Sequence, residues 1–71
     1  MNEWLEEASG KLGGAHLEPG EAEPLLELAR VAAHTSGDRR NAPLVTYLVG
    51  LARGRGDTRS VNEIVRDIGV S

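Results

Sequence analysis

The sequence predicts an all-α fold, a small compact bundle of four short helices. Three observations lead there. Apolar residues recur one helical turn apart along most of the chain, the spacing of a helix that buries one face. Alternation with period two, the mark of a half-buried strand, is missing. Glycine, proline and short polar residues interrupt the apolar segments around 13–20, 37–41 and 54–60, leaving pieces of helix length joined by short connections.

The first helix is expected over about 3–12. Met1, Trp4, Leu5, Ala8 and Leu12 share one face, Asn2 is placed to cap the N-terminus, and Gly13 with Gly14 provides the stop. The loop "GGAHLEPG" follows, with Leu17 as its anchor into the core. A second helix opens near Glu21, where acids suit the positive end of the helix dipole and Pro24 falls in the first turn, whose amide needs no intrahelical partner. Leu25, Leu28, Ala29 and Ala32 form its stripe; Leu26 and Ala33 widen it, so this helix should be central.

Gly37 ends the second helix, and Asn41 is positioned to cap a third with Pro43 in its first turn. Leu44, Tyr47, Leu48 and Leu51 line one side and Val45, Val49 and Ala52 another. Apolar residues on two sides predict deep burial, and Gly50 between them predicts a close approach by another helix. After "GRGDTRS", Ser60 and Glu63 have the spacing of a capping box, followed by Val61, Ile64, Val65 and Ile68 on one face and Gly69 at the end. No internal repeat or low-complexity segment stands out. Trp4 and Tyr47, the only large rings in a chain without phenylalanine, are expected to pack in the core with their polar atoms at its edge.

Size and composition narrow the function classes. A chain of 71 residues makes one helical domain, 1–71, and buries only about 60% of its unfolded surface, which leaves little room for an enclosed active site. The absence of cysteine suits a reducing cytoplasm. The acidic opening "MNEWLEEASG" is unlike a secretory signal, and the longest apolar run, "LVTYLVGLA", is far shorter than a membrane span. His16 and His34 lack partners at metal-binding spacing, so neither metal nor cofactor is expected. No nucleophile elbow is present, and catalytic residues are not assigned: the chain reads as a non-enzyme. The tripeptide "RGD" at 55–57 reads as coincidence.

Charge is unevenly spread. Up to Glu27 there are seven acids and one base, a balance of −6; from Leu28 onward seven bases and four acids give +3. Such polarity marks either a basic binding surface or halves that pair with each other. In an antiparallel pair of helices two and three, Arg53 and Arg55 fall near Glu21, Glu23 and Glu27. At the opposite end Arg30, His34, Arg39, Arg40 and Asn41 gather near the open amides of helix three, a candidate anion-binding site because helix N-termini attract anions and guanidinium forks fit phosphate or carboxylate. The plainer reading is that Arg30 and His34 complement a helix C-terminus and that Arg39 and Arg40 are solvated loop charges.

"SVNEIVRDIGVS" looks like the first half of a helix-turn-helix, but the chain ends where a recognition helix should begin and its net charge is −3. Nucleic acid is therefore not the expected partner, although a small DNA-associated regulator is one alternative. A self-associating structural domain, with Leu26 or Val49 in a homodimer seam, is another.

Nearly the whole chain resembles a small actinobacterial helical domain of unknown function that occurs alone or fused to molybdenum-cofactor guanylyltransferase-like proteins of molybdopterin-guanine dinucleotide biosynthesis. The residues carrying the likeness are Trp4, Leu12 and Gly13; Leu25, Leu26, Leu28, Ala29, Arg30, Ala33 and His34; and Ala42, Pro43, Leu44, Leu48, Gly50, Leu51 and Ala52. The loop "HTSGDRRNAPL" departs from the shorter connection of that family. What the resemblance implies is an accessory, non-catalytic interaction domain beside a nucleotidyltransferase partner, which would itself supply the transfer chemistry.

Overall fold

In the computed structural model, which describes residues 2–69, the order is α1 (Glu3–Lys11), α2 (Ala22–Ser36), α3 (Asn41–Gly54) and α4 (Val61–Gly69). The described residues form no strand, and the all-α bundle of four helices stands. Met1, assigned above to the α1 stripe, lies outside the described residues.

Local chemistry explains most helix ends. Asn2 caps α1, its side-chain oxygen accepting the Leu5 amide at 2.9 Å. Gly37 closes α2 in the left-handed region at φ 72°, where a side chain would be strained. Ser60 starts α4: its hydroxyl accepts the Glu63 amide at 3.2 Å and donates to the Glu63 carboxylate at the same distance. Glu21 precedes α2 without capping it, and its carboxylate instead accepts the Glu18 amide at 2.7 Å, tying the incoming loop to the helix start.

One cap differs from expectation. Asn41 is the first residue of α3 and not its cap; Arg40 precedes the helix with helical dihedrals and no side-chain cap. The turn is held by Asp38, whose carboxylate accepts the Arg40 amide at 2.9 Å while its carbonyl accepts the Asn41 amide at 3.1 Å. An aspartate two residues before an amide closes an Asx-type turn, and that arrangement removes the need for Asn41.

The central position of α2 is as expected, with α3 and α4 packed on it. Its Leu28, 1% exposed, meets Val49 of α3 and Ile64 of α4, and Leu25, Val45 and Val65 close around them. Val61 is buried as well. The α2 and α3 pair runs antiparallel, for Arg53 near the end of α3 reaches Glu21 before α2 at 3.8 Å.

The core is narrower than the apolar pattern suggests. Trp4 is 74% exposed and Tyr47 68%, so neither ring packs in the core. Leu44 and Leu48 are exposed beside Tyr47, while Val49 alone on α3 is fully buried. A helix packed on one neighbour buries one stripe, and α3 has only α2 against it among well-packed helices. Nothing lies within 4 Å of where a Gly50 side chain would begin, so the close approach expected there is absent. Leu17 stays partly exposed at the rim of the bundle, and α1 contributes no buried residue.

Candidate functional site

The five candidate anion-site residues all fall at the α2–α3 junction, but their charges are not equally available. Arg30 is turned back onto Glu27, one helical turn earlier, with its Nε donating to that carboxylate at 3.1 Å. This hydrogen bond holds the Glu27 carboxyl below, and the Arg30 guanidinium above, their ordinary ranges. Arg40 forks onto Asp38, its Nε at 3.1 Å and Nη2 at 2.9 Å from the two carboxylate oxygens. The same fork, with the Arg40 amide, lowers the Asp38 pKa. His34 and Arg39 are exposed and have no side-chain hydrogen bond or ion pair among the described residues. Asn41, half-buried, borders an apolar groove beside Thr35 and Ser36.

That groove holds about 360 Å³ between the second half of α2 and the first half of α3. Val31, Ala32, Leu44, Val45 and Leu48 form its walls and Ile68 of α4 closes one side. A second, wider groove of about 690 Å³ runs along the other flank of α2, where Leu25, Leu26 and Ala29 face Leu5, Leu17 and Pro19. Leu26 is 65% exposed at its edge. Val49, the other residue assigned to a homodimer seam, is buried in the core and unavailable to one.

The most elaborate polar cluster lies elsewhere and escapes the sequence reading. Asp57 accepts from the Arg59 amide and Nε, each at 3.0 Å, and from Nη2 at 2.6 Å. Arg59 also reaches Asp67 of α4 at 2.9 Å, and Arg53 donates to the Arg59 carbonyl. The Arg59 side-chain hydrogen bond, aided by the Arg59 amide, pulls the Asp57 carboxyl down to about 2. The acid of the "RGD" tripeptide is therefore engaged inside its own turn. The signal was present as a repeat: Gly37-Asp38-Arg39-Arg40 before α3 and Gly56-Asp57-Thr58-Arg59 before α4 share the pattern G-D-x-R. Both begin on a left-handed glycine and clamp the Arg amide and guanidinium onto the Asp.

Among the described residues no group of three or more His, Asp or Glu is placed to hold a metal ion, and no helix is long and apolar enough to cross a membrane. The arrangement is one of apolar grooves edged by charge. No curated protein and no solved structure matches the chain. A family model described as "Domain of unknown function (DUF6457)" matches residues 1–69.

Proposed function

The chain belongs to the DUF6457 family of domains of unknown function, and from that premise we propose that it works as a non-catalytic helical interaction domain. The observation that carries this reading is the amount of apolar surface left open: Trp4, Leu12, Leu26, Leu44, Tyr47 and Leu48 are all more than half exposed. Leu44, Tyr47 and Leu48 follow each other at helical spacing on α3, and exposed apolar surface gathered in this way marks a contact with another molecule. The wider groove, lined by Leu17, Leu25 and Leu26, is the docking surface of this proposal.

The partner we propose is a nucleotidyltransferase of molybdenum-cofactor biosynthesis, on the strength of the resemblance set out above. The transfer chemistry belongs to that partner. In this reading the unpaired His34 and Arg39, with Arg30, Arg40 and Asn41 around them, meet an anionic group at the α2–α3 junction, a contact separate from the wider groove. Guanidinium groups suit phosphate or carboxylate, although Glu27 and Asp38 already engage two of them.

Two measurements test the proposal. Tagged protein recovered from its native cell retains a nucleotidyltransferase, and Leu26→Asp abolishes that retention; recovery of unrelated proteins alone counts against the partnership. In an NMR titration with inorganic phosphate and then a guanine nucleotide, amides of residues 35–45 shift. Unmoved amides there remove the anion contact from the proposal without touching the docking surface.

A further inference from the structure

We propose that α1 is a docking element, and that it lies in the α2–α3 groove of a second copy of this chain, each copy giving its α1 to the other. The starting point is that α1 is only lightly held by its own chain: Leu5 borders the wider groove opposite Leu25 and Leu26, and Ala8 and Leu12 border the 15–17 loop. The helix has nine residues and no buried side chain, and helices so short are marginal in water without a surface to pack on. Substantial helix packing joins α2 to α3 and α2 to α4, and leaves α1 out. Trp4, Ala8 and Leu12 follow each other at one-turn spacing along α1 and its C-cap, and Trp4 and Leu12 are the two most exposed large apolar residues among the described residues.

Charge points the same way. Glu3, Glu6 and Glu7 of α1 have no cationic partner among the described residues, and neither Arg39, Arg55 nor Arg66 has an anionic one. Glu27 with Arg30 is a pairing within α2, and Glu21 with Arg53 is the long-range ion pair that joins the acidic and basic halves. The polarity of the sequence is thus mostly left unneutralised inside one copy. At this groove a second copy meets one of the missing partners, because Ser36 and Asn41 border it on either side of the 37–40 loop, where Arg39 stands unpaired.

The dimensions agree. Nine helical residues span about 13 Å, and the groove wall from Asn41 to Leu48 spans about 10 Å. A 7.6 kDa monomer is expected to expose about 4,300 Å², whereas this chain exposes 5456 Å². The surplus, about 1,200 Å², is of the order that each partner gives up in a standard interface, about 800 Å². Every copy carries both the helix and the groove, so a two-fold arrangement satisfies both contacts at once and closes the exchange as a dimer, whereas a one-way arrangement would run on from copy to copy. This inference rests on the interaction reading only in requiring apolar surface to be covered; it fills a different groove, although Leu5 of α1 borders the foreign partner's groove and Arg39 serves both readings.

Sedimentation of the full chain, from low micromolar to near millimolar, tests it. A species of twice the 7.6 kDa chain mass is expected to grow with concentration. Trp4→Glu spoils the helix and Leu48→Glu spoils the groove; each weakens self-association by about tenfold or more while circular dichroism stays helical. Mixing the two variants restores a one-to-one dimer, since one intact helix and one intact groove remain. Should either variant unfold, Leu12→Glu or Leu44→Glu takes its place. A wild-type chain that stays monomeric, a dimer that survives both substitutions, or variants that ignore each other overturns the proposal. A monomer that still retains a nucleotidyltransferase overturns this inference alone and leaves the interaction reading standing.

Discussion

Leu28→Ala is the sharpest perturbation of the fold. Leu28 is 1% exposed and is the residue through which α2 meets both Val49 and Ile64, so the cavity left behind is shared by three helices and closes poorly. Truncating a leucine at such a site costs about 3 kcal/mol. A chain of 71 residues has about 4 to 11 kcal/mol of stability in all, so the substitution removes a quarter to most of it. At about 4 to 8 °C per kcal/mol for a domain of this size, the melting midpoint falls by about 12 to 24 °C. Thermal unfolding followed by circular dichroism, in dilute protein, reads the shift. Leu44→Ala, at an exposed position of α3, is the control and costs about 0.5 kcal/mol or less. Equal shifts for the two substitutions would refute the assignment of Leu28 as the centre of the core.

Two glycines should respond in opposite senses. Gly50→Ala meets no atom within 4 Å and raises stability by about 1 kcal/mol through helix propensity, whereas Gly37→Ala forces a side chain into the left-handed region at φ 72° and lowers it by about 1 kcal/mol; denaturant midpoints that move in the same direction contradict the two local readings. Asp57 gives a pH signature. Its carboxyl is lowered from 3.8 to about 2 by the Arg59 hydrogen bonds, so its stabilising effect is complete above the ordinary carboxylate range and is lost as pH falls from 3.8 towards 2. Asp57→Asn accordingly destabilises at neutral pH and flattens the urea midpoint across that acidic window; an unchanged acid profile counts against the clamp.

Helix existence was legible in the sequence because its signals are local. Asn2, Ser60 with Glu63, and Gly37 each act within one turn of chain, and each caps or closes its helix as its type and position suggest. The pairing of Arg53 with Glu21 was legible too, since a short connection between two helices of similar length forces them antiparallel, whereas Arg55 and Glu23, expected in the same cluster, form no ion pair among the described residues and Glu27 is taken by Arg30. Burial was not. Periodicity states which residues share a face, but nothing in it says whether another element covers that face, and Leu44, Tyr47 and Leu48 make a regular stripe with open space beside it. Trp4 was misjudged for the same reason. At the candidate site, the residue positions were readable and their availability was not, because Arg30 and Arg40 are drawn onto Glu27 and Asp38 by side-chain geometry. The G-D-x-R repeat lay in view, but its two copies are short and flank different helices.

The claim on which the account depends is that the exposed apolar residues exist to be covered by protein. Trp4 is the single tryptophan of the chain, so its emission reports that covering directly. With rising concentration of the chain, the account predicts a shift of Trp4 emission to shorter wavelength and protection from iodide quenching. Emission that stays water-like and fully quenchable up to near-millimolar chain would contradict it.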